Sequence, residues 1–141
     1  MSLYIDTSCL WKLLLPEPES ERTRTIIDTE PSVLLSHLTI MEVEQQLLAS
    51  RLGGRLSPRD FRHLAAALAG LCATPPFAVK ATAPDLAQTA RRHSAAGPSC
   101  RTADRLHLAA MEALGAKRLL TNDDIQAAAA RALGYGVVLP R

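Results

Sequence analysis

Aromatic side chains are scarce in this chain: one Trp, two Tyr and two Phe, 4% of 141 residues. Stacking of nucleic-acid bases on aromatic platforms is therefore not expected to be its main binding device. Cysteine is rare as well. Cys9, Cys72 and Cys100 are an odd number with no CxxC spacing, which suggests neither a disulfide framework nor a zinc site and fits a reducing compartment. The chain does not open on a basic segment followed by a long apolar run, so no signal peptide is expected. No uninterrupted apolar stretch is long enough to span a bilayer. These absences predict a soluble, cytoplasmic protein with no membrane partner. Internal repeats and low-complexity linkers are also missing, and the length suits one domain over residues 1–141 with a proper core.

What is present is ordinary globular composition, 48% hydrophobic and 21% charged. The net charge of +2 says little about a polyanionic partner. Of the 16 basic residues 13 are Arg, a side chain suited to bidentate phosphate contacts, although Arg and Ala enrichment also follows from a GC-rich genome. Arg51, Arg55, Arg59 and Arg62 fit either a phosphate-binding edge or a solvated helix face.

Short apolar runs alternate with helical patterns. Leu3–Ile5 reads as a buried strand. Helices are predicted over 8–15 and 19–28, separated by Pro16-Glu17-Pro18, and Val33–Ser36 is a second strand. A helix from Thr39 to Leu52 ends at Gly53-Gly54, and another starts at Ser57-Pro58 and runs to Ala73. Phe77–Thr82 is a weaker strand. Pro84 opens a helix that should stop at Gly97-Pro98. Thr102 can cap a helix over 103–114 that Gly115 closes. Arg118–Thr121 is strand-like, Asp123 or Asn122 caps a last helix to Leu133, and Gly136–Leu139 is the final strand. Short strands alternating with helices predict an α/β fold with a parallel sheet covered on both faces.

Four acids stand out by position. Asp6 follows the first strand in Leu3-Tyr4-Ile5-Asp6-Thr7-Ser8, where a carboxylate faces the ligand crevice of an open α/β sheet. It equally suits an N-cap. Glu42 lies in Thr39-Ile40-Met41-Glu42-Val43-Glu44, sharing a helix face with Leu38, Gln45 and Ala49 at the edge of an apolar stripe of Met41, Leu48 and Leu52. Glu44 points elsewhere. Asp104 sits in the first turn of its helix on the face of His107, Leu108 and Met111, where it also complements the helix dipole. Asp123 follows a strand and starts a helix, so it too suits a cap. His107 reads as a packed, hydrogen-bonded histidine rather than a ligand. Strand ends and helix starts meet at one rim of a parallel α/β domain, so these carboxylates can converge. Gathered carboxylates repel unless a cation lies among them, and an all-oxygen set suits Mg²⁺ or Mn²⁺ rather than zinc.

The order Leu-Tyr-Ile-Asp-Thr-Ser, Leu-Thr-Ile-Met-Glu-Val, Thr-Ala-Asp-Arg-Leu-His-Leu-Ala and Leu-Leu-Thr-Asn-Asp closely resembles the PIN domain, and within it the VapC toxins of toxin–antitoxin pairs. The resemblance covers nearly the whole chain. It implies a three-layer α/β/α sandwich around a parallel sheet of four or five strands. It also implies a Mg²⁺- or Mn²⁺-dependent endoribonuclease, typically a homodimer, held inactive by a small antitoxin. Carried over by residue, the catalytic and metal-binding quartet is Asp6, Glu42, Asp104 and Asp123, with Ser8 and Thr121 or Asn122 steadying the site. Many relatives have a further aspartate two positions after Asp123, where this chain has Ile125; Asp124 is adjacent.

The expected reaction is hydrolysis of RNA by water activated at the ion, leaving a 3′-hydroxyl and a 5′-phosphate. Asp6, Asp104 and Asp123 would hold metal, and Glu42 would hold metal or orient the water. A binding module of the same fold that docks an Arg-bearing partner in its acidic pocket is the alternative. Phosphatase chemistry through an aspartyl nucleophile would want another Asp where Ser8 stands.

Overall fold

Three residues suffice for the first strand because helices cover both of its faces. Leu3, Tyr4 and Ile5 are fully buried and form β1 (Leu3–Ile5). A computed structural model describes residues 2–141. After β1 come α1 (Thr7–Leu14), α2 (Ser20–Asp28), β2 (Val33–Ser36), α3 (His37–Leu52), α4 (Pro58–Cys72) and β3 (Phe77–Lys80). The second half holds α5 (Leu86–His93), α6 (Thr102–Leu114), β4 (Arg118–Leu120), α7 (Asp124–Ala132) and β5 (Gly136–Val138).

The strands form one five-stranded sheet in the order β3-β2-β1-β4-β5, and every pairing is parallel. Leu3 is in register with Val33 on one side and Arg118 on the other. Alternation along the strands divides the core in two. Leu3, Ile5, Val33, Leu35 and Leu120 face one cluster with Leu10, Ile27, Val43, Leu47, Leu64 and Leu68, which come from α1 to α4. Tyr4, Leu34 and Leu119 face the other with Leu86, Ala90, Leu108 and Ala130, which come from α5 to α7. The result is the expected α/β/α sandwich around five parallel strands. Among the described residues no helix is long and apolar enough to cross a membrane.

Three details differ from expectation. The helix predicted from Pro84 to Gly97 is only α5, ending at His93. Pro98 disfavours helical backbone at the residue before it. Gly97 also passes so close to α7 that a Cβ there would lie 2.7 Å from that of Ala132. Thr102 does not cap α6. It is the first helical residue, and Arg101 holds the cap position without a side-chain capping bond. Finally, Met41, Leu48 and Leu52 are exposed, whereas Thr39, Val43 and Leu47 are the buried face of α3. This helix carries apolar residues on every side, so periodicity does not single out one face.

Candidate active site

The strand order reverses at β1. The chain steps outward to β2 and β3, then crosses back to β4 and β5. A crevice opens at such a switch point, beyond the carboxyl ends of the strands. Asp6 leaves β1 into this crevice, and its backbone N–H donates to the Leu120 carbonyl of the neighbouring strand at 3.2 Å.

Asp6 divides its two oxygens. Oδ1 accepts from the Cys9 N–H at 3.1 Å, capping α1, and from Ser8 Oγ at 2.8 Å. Oδ2 accepts from Thr121 Oγ1 at 2.7 Å. Burial pushes the Asp6 carboxyl above the usual carboxylate range, against these hydrogen bonds and the nearby His107. The Thr121 hydroxyl also accepts from the Asp123 N–H at 3.1 Å and lies 2.8 Å from Gln126 Oε1. One hydroxyl carries one proton, which Asp6 takes, and Gln126 Nε2 is buried without a partner. Turning the Gln126 amide removes the conflict at the hydroxyl: Nε2 then donates to Thr121 Oγ1.

Glu42 enters from α3 and is fixed by a second chain of bonds. Thr7 Oγ1 donates to Glu42 Oε1 at 3.0 Å, and His107 Nε2 contacts the same oxygen. A carboxylate only accepts, so the His107 proton lies on Nε2. Nδ1 lies 2.8 Å from the Tyr4 hydroxyl, which also meets Ser36 Oγ at 2.9 Å and Thr39 Oγ1 at 3.3 Å. Ser36 spends its side chain here instead of capping α3. Burial alone would raise the Glu42 carboxyl, but the contacts of His107 and Thr7 hold it below the usual range. Burial pushes the Tyr4 phenol up to about 12, so the hydroxyl keeps its proton.

Asp104 is buried in the first turn of α6. Asp123 Oδ1 accepts from the N–H groups of Ile125 and Gln126 at 2.8 and 3.0 Å, capping α7. Its Oδ2 faces Arg101. The Arg101 guanidinium lies between the two acids: Nε is 3.0 Å from Asp104 Oδ2, and Nη2 is 3.4 Å from Asp104 Oδ1 and 3.5 Å from Asp123 Oδ2.

Asp6, Glu42, Asp104 and Asp123 line a single cavity of about 110 Å³, together with Thr7, Ser8, Gln46, Arg101 and His107. The four acids come from four places in the fold. Their all-oxygen chemistry fits a hard divalent cation. Among the described residues, however, no three Asp, Glu, His or Cys side chains stand gathered as a ready metal cage, and Arg101 occupies the space between two of them.

Of the residues expected to support the site, Ser8 and Thr121 both touch Asp6. Asn122 acts through its backbone, whose N–H donates to Ser8 Oγ at 3.1 Å, while its side-chain oxygen accepts from Arg141 at 3.2 Å. Asp124 points outward and pairs with Arg141 at 3.0 Å. Ile125 is exposed. The sequence did not single out Arg101, Gln46 or Gln126, whereas His107 is the packed, hydrogen-bonded histidine expected, with Glu42 and Tyr4 as its partners. Arg101 precedes Asp104 by three residues and Gln46 follows Glu42 by four, both spacings that share a helical face. No such signal reaches Gln126, whose partner Thr121 lies between β4 and α7, outside any helical face.

A model of the PIN domain family matches residues 3–132. Ribonuclease VapC46 of Mycobacterium tuberculosis is 32% identical over 150 residues, covering 99% of this chain and 98% of that protein. Two solved structures share the fold. VapC20 of Mycobacterium tuberculosis, a toxin cleaving the sarcin–ricin loop, superposes with a TM-score of 0.70 at 19% identity, covering 94% of this chain and 95% of that one. A toxin–antitoxin complex from Klebsiella pneumoniae gives 0.64 at 19% identity, covering 100% and 98%.

Proposed function

The chain belongs to the PIN-domain family, and from that premise we propose that it is a metal-dependent endoribonuclease, the toxin of a toxin–antitoxin pair. One observation carries the reading: Asp6, Glu42, Asp104 and Asp123 share one cavity although they come from four separate elements. The similarity to a protein named as a ribonuclease, over nearly the whole length of both, supports the same activity. Residues 1–141 then act as one PIN-like unit in the cytoplasm.

In this reading Asp6, Asp104 and Asp123 would hold Mg²⁺ or Mn²⁺, and Glu42 would either join them or orient the attacking water. Such an ion supplies water activation and neutralises charge developing on the phosphodiester. The rest of the work falls to the protein. Ser8 and Thr121 fix the Asp6 carboxylate through a hydroxyl on each oxygen, and the Asn122 N–H holds Ser8 in place. Thr7 and His107 fix Glu42, and Tyr4 fixes His107.

Two apolar surfaces support the proposed protein partners. A groove of about 460 Å³ between α2, α4 and the start of β3 is walled by Leu13, Ile27, Leu71 and Phe77 and rimmed by Arg24 and Asp28. It is the proposed seat of an antitoxin segment. The exposed Met41, Leu48 and Leu52 of α3 are the surface on which a second copy would form a homodimer.

Incubating the purified protein with total RNA, with Mn²⁺ or with EDTA, and mapping the ends tests the proposal. The expected result is internal cleavage in Mn²⁺ only, with 5′-phosphate ends. RNA that stays intact in Mn²⁺, or that is cut equally in EDTA, contradicts it.

A further inference from the structure

Of the described residues lining the acidic cavity, Arg101 alone carries a permanent positive charge. Its position is unusual for so exposed a residue. The side chain is 77% accessible, yet its guanidinium turns inward and engages both oxygens of the buried Asp104 and the free oxygen of Asp123. The other Asp123 oxygen is spent on capping α7. The carboxylate oxygens of α6 and α7 that are open to a ligand are thus already bound to a cation, and that cation belongs to the chain. The pocket's negative charge is compensated by a fork of N–H donors, which match a carboxylate's geometry.

Departure of this cation requires little rearrangement. The backbone of Arg101 is fixed at the start of α6, where its carbonyl accepts from the Arg105 N–H at 3.0 Å, so only side-chain rotation is needed. The long Arg101 stem lies in solvent, and the pair is open to water on the arginine side although Asp104 is buried, which leaves it able to exchange. Once swung out, the guanidinium is still tethered at the cavity rim through the Arg101 backbone. Arg is the side chain best suited to a phosphate there.

We propose that Arg101 is the resident counter-cation of the pocket, that a divalent ion must displace it to bind, and that the displaced guanidinium then holds the RNA phosphate beside the ion. This rests on the metal-dependent ribonuclease reading and adds a residue to it. Arg101 opposes metal binding and favours substrate binding, so its removal moves the two affinities in opposite directions.

Isothermal titration of Mn²⁺ into the metal-free full chain, its Arg101→Gln and Arg101→Lys variants, and Asp104→Asn is the test. It is paired with the KM and kcat of a short RNA at saturating Mn²⁺. Arg101→Gln should bind Mn²⁺ about three- to tenfold more tightly than the parent, the scale of breaking a partly exposed charge-assisted pair. Arg101→Lys should fall between them, because it keeps the charge and loses the fork. The RNA KM of Arg101→Gln should rise several-fold, with a smaller change in kcat. Measurable Mn²⁺ binding whose affinity is the same in parent and Arg101→Gln overturns the displacement, and an unchanged KM overturns the phosphate contact. A parent that binds no Mn²⁺, or binds it as tightly as Asp104→Asn does, overturns the metal-site reading itself.

Discussion

Asp6 and Asp123 each give one oxygen to the backbone of a following helix and keep the other for a side chain, Thr121 for Asp6 and Arg101 for Asp123. Capping and site formation are therefore not competing roles for these residues, because a carboxylate has enough lone pairs for both. Asp104 is different. It makes no cap, and both of its oxygens point at Arg101, so its charge serves the cavity alone. Asp104→Asn keeps the size and loses the charge that attracts a hard cation. Cleavage of RNA should fall by about a hundredfold or more, and growth inhibition on expression should disappear, while the circular dichroism spectrum stays that of the parent. Undiminished cleavage at limiting enzyme would remove Asp104 from the site.

The site depends on how its elements are tied together. Tyr4 on β1 links β2, α3 and α6 through Ser36, Thr39 and His107. At the opposite end of the sheet, Arg118 on β4 forms a fork with Glu30 after α2, at 2.8 and 2.6 Å. The Arg118 guanidinium holds the Glu30 carboxyl below its ordinary 4.5, against the opposing effect of burial. A lowered carboxylate pKa contributes stability that is present above the unfolded value and lost as pH falls through the folded one. Glu30→Gln should therefore cost about 1–2 kcal/mol at neutral pH. That difference should shrink as pH drops below 4.5, as read from urea midpoints of parent and variant. A difference independent of pH would mean that charge on Glu30 contributes nothing.

Considered as a whole, the molecule separates its surfaces. The acidic cavity lies at the carboxyl rim of the sheet, and the apolar groove lies between α2, α4 and the start of β3. Ala67 is exposed in that groove. Ala67→Asp should prevent co-purification with the cognate antitoxin and leave RNA cleavage by the free protein intact. Retained co-purification would locate the antitoxin elsewhere. Much of this architecture was legible in the chain. Leu3–Ile5 and Val33–Leu35 are too short and too apolar for anything but covered strands, and Asp6, Asp104 and Asp123 follow strands or open helices. The burial of α3 was not legible, since Leu38, Ile40, Met41, Val43, Leu47 and Leu48 leave no polar side to orient it. Nor was the partnering of Glu42 by His107, 65 positions away, because such a contact exists only after α3 and α6 have packed on opposite sides of the same strand end.

If the four carboxylates form one cation site, the parent and Asp6→Asn should differ in how their melting curves, each taken in EDTA and in Mn²⁺, respond to the ion. Asn caps a helix about as well as Asp, so the fold should survive, and removing one buried charge from the cluster should leave the EDTA melting temperature no lower than the parent's. Metal that binds only the folded site stabilises by mass action, about 2.7 kcal/mol at roughly a hundred times Kd. The parent should therefore melt several degrees higher in Mn²⁺, and Asp6→Asn should shift much less. Equal Mn²⁺ shifts in the two proteins would contradict the account.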